Sequence, residues 1–138
     1  MIRLSHVCLW VGDQEEAKQF YTEKLGFNVR EDVTMEGWRW LTVTPPDQPD
    51  LEIALNQPGP PAVDPDQVGA LNDIVARGLA GGVILQTDDC QRDYERLKAN
   101  GVEFTQEPNE RFYGVDSGFR DPWGNSYRLV QPVPVEAR

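Results

Sequence analysis

The sequence predicts an α+β protein in which one unit, a strand, a helix and three further strands, occurs twice in tandem. Three observations predict it. Leu4 to Val11 (LSHVCLWV) alternates in strand fashion, and the stretch from Gly82 to Asp89 (GVILQTDD) repeats it, setting Val83, Leu85 and Thr87 over Val7, Leu9 and Val11. Each strand is followed by apolar residues at helical spacing and then a glycine: Ala17, Phe20, Tyr21 and Leu25 before Gly26, and Tyr94 and Leu97 before Gly101. Each helix is followed by alternating segments separated by turn residues.

The elements follow in order. In the opening strand Ser5, Val7, Leu9 and Val11 form one row and Leu4, His6, Cys8 and Trp10 the other. The first row reads as core. The second carries the only histidine, a thiol and an indole, a mixture suited to a concave pocket. Asp13 caps a helix over roughly Gln14 to Leu25. A strand region starts at Phe27 and runs to Val33, Met35-Glu36-Gly37 turns the chain, and Trp38 to Thr44 alternates again. The cluster from Pro45 to Pro49 is a turn, and Leu51 to Asn56 is a fourth strand that sets Glu52 on the face of His6. From Gln57 to Val63 the chain reads as a linker, and Asp64-Pro65 opens a helix marked by Val68, Leu71 and Val75 that stops at Gly78. Glu103-Phe104 opens a strand of the second unit, and Asp121-Pro122-Trp123-Gly124-Asn125 is a tight turn before a closing strand over Tyr127 to Gln131.

A chain of 138 residues suits a single domain that buries a core without disulfides or structural metal. The sequence divides it into a first module over about residues 1–56, a linker and helix over 57–80 and a second module over about 81–132. With 13 Lys+Arg against 23 Asp+Glu, the net charge of −10 repels phosphate backbones and anionic lipid, so neither nucleic acid nor a membrane is an expected partner. The amino terminus has no signal-peptide pattern and no apolar run is long enough to span a bilayer, so a cytoplasmic protein is expected. Cys8 and Cys90 lack zinc-ligand or C-x-x-C spacing and read as free thiols.

The doubled module, the opening strand of His-Val-x-Leu-x-Val-x-Asp type, Phe20-Tyr21 with Leu25-Gly26-Phe27, and Asp121 to Asn125 together resemble the vicinal oxygen chelate superfamily. That superfamily includes glyoxalase I, bleomycin resistance proteins, extradiol dioxygenases and fosfomycin-resistance enzymes. The resemblance covers nearly the whole chain. It implies two tandem βαβββ modules curled into a cupped mixed sheet with helices outside, and a homodimer. Metal-using members take ligands from four positions, one on the first and one on the last strand of each module. In the first module these positions match His6 and Glu52, types suited to zinc, iron, manganese or nickel. The second module departs from the pattern. Its opening position is Gly82, or Gly81 with a one-residue slip, and its closing position, where a Gly-Asn-x-x-Glu pattern has a carboxylate, is Arg128. Arginine cannot ligate a cation and would repel one nearby. No metal cofactor is therefore expected, with His6 and Glu52 the ligands should one bind, and Arg128 is expected to pair with Glu52.

His6, Glu52 and Arg128 are the candidate catalytic groups: the histidine moves a proton and the arginine holds an anionic group. Cys8, Trp10, Trp38, Trp40 and Gln86 are expected to line the ligand site, and a loop over Glu107 to Gly118 offers Arg111, Phe112 and Tyr113 as a flap or as dimer contacts. Plainer readings stand beside these. His6 also reads as a hydrogen-bonded strand histidine, Glu52 with Arg128 as a structural pair, and Trp10 or Trp40 as core or interface. Cys8 has no oxyanion-binding element near it and Cys90 is assigned no chemistry. Three functions follow: a metal-independent protein binding a small aromatic or anionic molecule, which is favoured; a metal-dependent lyase, isomerase or dioxygenase; and a metal-free acid–base enzyme using His6, Glu52 and Arg128.

Overall fold

The computed structural model describes residues 1–134. The chain divides into two compact units, Met1–Val75 and Ala76–Arg138. In the first, β1 (His6–Trp10) leads through α1 (Gln14–Gln19) and a π-helical turn (Phe20–Lys24) to β2 (Asn28–Met35), β3 (Trp38–Thr44) and β4 (Glu52–Asn56). A 3-10 turn (Pro65–Gln67) and α2 (Val68–Ala76) lead on to β5 (Gly82–Gln86), α3 (Cys90–Ala99), β6 (Phe104–Arg111), β7 (Gly114–Arg120) and β8 (Ser126–Pro132). Each unit holds one four-stranded mixed sheet, ordered β1-β4-β3-β2 and β5-β8-β7-β6. This is the tandem βαβββ arrangement that the repeated pattern predicts.

The helices α1 and α3 each start on an aspartate. Asp13 Oδ1 accepts from the Glu16 amide at 2.9 Å and Asp89 Oδ1 from the Arg92 amide at 3.0 Å, meeting donors that have no partner within a helix. Ala17, Phe20, Tyr21 and Leu25 bury against Leu41, Val43, Ile53 and Leu55 on one face of the first sheet. Leu97 and Cys90 do the same against Phe119, Tyr127 and Leu129 in the second. The Cys90 thiol is buried 3.4 Å from the Leu129 carbonyl, and burial pushes its pKa up, in keeping with a structural side chain. Among the described residues, the opposite face of each sheet carries no helix of its own module. His6, Glu52 and Arg128 lie on that face of their sheets.

Two turns fix the registers. Glu36 (φ 53°) and Gly37 (φ 79°) join β2 to β3 as a two-residue hairpin, pairing Met35 with Trp38. In the second module Asp121 Oδ1 accepts from the amides of Trp123, Gly124 and Asn125 at 3.1, 3.0 and 2.9 Å, so one buried carboxylate satisfies the whole turn before β8.

The expected loop over Glu107 to Gly118 is not a loop. β6 runs on to Arg111, only Phe112 and Tyr113 turn, and β7 begins at Gly114. Pro108 obscures the strand in the sequence, but β6 is the sheet edge and its pairing is irregular between Gln106 and Asn109, where a missing amide is tolerated. Gly114 also marks a close approach. At φ 145°, a Cβ there would lie 2.0 Å from the Gln131 carbonyl oxygen of β8.

Candidate functional site

The open face of the first sheet is built by register. Parallel pairing of β1 with β4 sets His6 beside Glu52 and Trp10 beside Asn56, and antiparallel pairing of β3 with β4 sets Thr42 beside Ala54. A bulge between Val29 and Glu31 then places Glu31, rather than Arg30, opposite Thr42. The bulge turns the Glu31 carboxylate to the face of His6 and Glu52. It also sends Asp32 to the helix face, where it pairs with Arg39 and Lys18 at 2.8 and 2.9 Å.

A connected cluster results. His6 Nε2 lies 3.2 Å from Glu52 Oε2, and its Nδ1 lies 2.8 Å from Ser5 Oγ. Thr42 Oγ1 donates to Glu52 Oε1 at 2.8 Å and accepts from the Glu31 amide at 3.1 Å. Trp40 Nε1 donates to Glu31 Oε2 at 2.7 Å, and the Trp40 ring lies 5.7 Å from the His6 ring. Each carboxylate thus has one oxygen fixed by a neutral donor. An exposed acid, Glu31, and a half-buried one, Glu52, face one half-buried imidazole.

Farther along the same face, Cys8 is exposed and Trp10 half-buried. Asn56, opposite Trp10, is only 8% exposed and its Oδ1 has no hydrogen-bond partner among the described residues. Buried amide oxygens are rarely left so, and this one was absent from the sequence expectations. The signal was there in the alternation of β4, which puts Asn56 in the row of Glu52. Trp38 lies apart from this cluster, lining a groove of about 260 Å³ with Gln14, Arg39 and the segment from Gln57 to Pro60.

The second sheet answers differently. Arg128 does not turn to Glu52: its Nε and Nη2 donate to Asp116 Oδ1 and Oδ2 at 3.0 and 2.6 Å, while Glu52 is held by His6 and Thr42. The Tyr113 hydroxyl donates to the same Asp116 carboxylate, so it is a prop for that pair rather than a flap residue. Burial pushes the Asp116 carboxyl up, but hydrogen bonds from Arg128 and Tyr113 outweigh it and hold the group below the usual carboxylate range. The bond to Asp116 pushes the Tyr113 phenol up. Gly118 makes the room, since a Cβ there would sit 2.6 Å from Arg128 Nη1. Sequence reasoning missed Asp116 because it falls in the stretch read as a loop. Gln86 is exposed on β5, in the row of Gly82 and Ile84.

A family model for the Glyoxalase/Bleomycin resistance protein/Dioxygenase superfamily matches residues 3–129. The chain belongs to that superfamily. It is 40% identical to the uncharacterized protein YurT of Bacillus subtilis (strain 168) over 89% of this chain and 94% of that one. Among solved structures, UcmS2 is similar at a TM-score of 0.90 and 45% identity, covering 94% of this chain and 98% of that one. TnmS3, an antibiotic binding protein from Streptomyces sp. CB03234, is similar at a TM-score of 0.76 and 31% identity, covering 96% and 98%.

The superfamily's four-position metal arrangement does not fit these residues. Gly82 has no donor atom, and the Arg128 guanidinium is a cation already matched to a buried carboxylate. Register adds to the misfit, because the residue beside Gly82 in β8 is Ser126, whereas Arg128 stands beside Ile84. Half of the expected donor set is missing from the second module.

Proposed function

We propose that this protein is a binding protein of the superfamily, holding a small aromatic molecule on the open face of its first sheet. The observation that carries this reading is Asn56: a nearly buried amide oxygen with no hydrogen-bond partner among the described residues, in a row with Glu52 and beside Trp10, is an acceptor for a donor that a ligand would bring. Trp10, Trp40 and the His6 ring offer flat surface for a ring system, with Cys8 between them in β1. Likeness to an antibiotic binding protein at 31% identity supports the same reading. The ligand is thus aromatic and carries an N–H or O–H donor. Two of the three guanidinium nitrogens of Arg128 are already taken by Asp116, which leaves the arginine little capacity for an anionic group. A cytoplasmic homodimer is part of this proposal; the net charge of −10 supports only its lack of nucleic-acid and anionic-membrane partners. No helix among the described residues is long and apolar enough to cross a membrane.

A second reading rests on the 3.2 Å contact of His6 with Glu52, a histidine–carboxylate pair of the kind used in acid–base catalysis. One experiment separates the two. Titrating a panel of aromatic acids and aromatic antibiotics by calorimetry, then following each binder by chromatography over hours, is expected to give saturable binding with the compound recovered unchanged. Conversion of the bound compound, lost in Glu52→Gln, would replace the binding reading with an enzymatic one.

A further inference from the structure

We infer that His6, Glu31 and Glu52 form a divalent-cation site built within the first module alone. The ligand-capable atoms of the three side chains lie within 4.8 Å of one another, close enough to share one ion. This is not the superfamily's arrangement of two ligands from each module. Its third donor comes from β2, and that donor reaches the site only because of the bulge between Val29 and Glu31.

Two features argue for a cation rather than a chance gathering of polar groups. The first is charge. Glu31 and Glu52 bring two carboxylates together with a single imidazole, and among the described residues neither acid pairs with a lysine or arginine. Like charges a few ångströms apart repel, and a divalent ion removes that cost. The second is the supporting shell. Metal-ligating histidines and carboxylates are typically oriented by a hydrogen bond on their other polar atom. Here Ser5 Oγ meets His6 Nδ1, Thr42 Oγ1 meets Glu52 Oε1 and Trp40 Nε1 meets Glu31 Oε2. Each side chain keeps one atom for the ion. A serine hydroxyl also accepts from Nδ1–H, the tautomer that a cation on Nε2 requires.

One nitrogen and two carboxylate oxygens suit manganese, iron, nickel or zinc, and three protein ligands leave positions open for water or a ligand oxygen. The repulsion expected from Arg128 does not weigh against this site, because Asp116 matches that charge. The inference stands apart from the small-molecule reading, since a metal alone tests it.

The test is calorimetric titration of the chelator-treated full chain with MnCl₂ and NiCl₂. One ion per chain is expected, with affinity falling at least roughly tenfold in His6→Gln and in Glu31→Gln. Trp40→Phe, which keeps the ring and removes only the donor to Glu31, is expected to lose roughly tenfold as well. Glu36→Gln, an exposed acid at the neighbouring turn, is expected to change nothing. Melting of each chelated variant confirms that it is folded. No saturable binding by the unaltered chain would overturn the inference. So would binding indifferent to Glu31→Gln, or weakened equally by Glu36→Gln.

Discussion

The two modules share one backbone and spend it on opposite chemistry. Superposing their ladders sets His6 against Gly82, Glu52 against Ser126, Thr42 against Gly118, Ala54 against Arg128, Trp40 against Asp116 and Glu31 against Gln106. Even the bulge repeats, between Val29 and Glu31 in one sheet and between Phe104 and Gln106 in the other. In the first module a threonine faces an alanine, both fully buried, in the row that carries His6, Glu52 and Trp40. In the second a glycine faces an arginine, whose guanidinium closes onto a buried aspartate. One face sets two acids against one imidazole and leaves an amide oxygen without a hydrogen-bond partner among the described residues; the other pairs its arginine with its aspartate. The same scaffold therefore builds an open site and a sealed one by exchanging bulk across a single pair of strands.

The largest effect should come from breaking the seal. Arg128→Leu leaves Asp116, 4% exposed, with the Tyr113 hydroxyl as its hydrogen-bond donor and only the more distant charge of Arg111, and should destabilise the fold by about 3 kcal/mol. The arginine is 38% exposed, which places the cost at the lower end for a buried pair losing one member. Urea denaturation measures it. The equivalent change in the open site, Glu52→Gln, should cost far less, because it relieves one of two neighbouring carboxylates. Equal losses would contradict the contrast between the modules.

Gly118→Ala is a smaller perturbation of the same seal. The new methyl meets Arg128 Nη1, whose guanidinium is held by two hydrogen bonds, so about 1 to 2 kcal/mol is expected. Combined with Arg128→Leu, most of that cost should vanish, since the clashing group is gone. Strict additivity in the double variant would show that the two residues are not coupled.

The smallest effect is in acid. The Asp116 carboxyl is held below its ordinary range despite burial, and that of Asp32 by hydrogen bonds from Arg39 and then Lys18. A depressed carboxylate stabilises the fold fully above its unfolded pKa of about 3.9, and that stabilisation is lost as pH falls through the lower folded value. The urea midpoint should therefore fall between about pH 5 and about pH 3, and Asp116→Asn should narrow the fall. An unchanged fall in the variant would show that Asp116 keeps an ordinary pKa.

Much of this was legible before the structure. Alternation gives β3 at its true bounds, and the repeated strand, helix and glycine give the duplication, because burial on one face leaves a period of two or of 3.6 in the residues themselves. His6 and Glu52 were legible as neighbours for the same reason. Partner choice was not. Arg128 was expected to meet Glu52 across modules and instead meets Asp116 across one ladder, a contact hidden in a stretch whose proline and glycines read as loop. Glu31 was invisible for a different reason. A bulge inverts every side chain after it, and an unbroken alternation would have put Glu31 on the helix face.

Under the proposed function, the open face of the first sheet is where this protein meets its ligand. The most direct test is the calorimetric affinity of the tightest aromatic binder for Trp40→Leu and Asn56→Leu, each checked by melting for intact folding. A loss of roughly tenfold or more in each, about 1.4 kcal/mol, is the predicted result. Affinities within roughly twofold of the unaltered chain in both would place the ligand elsewhere and contradict the account.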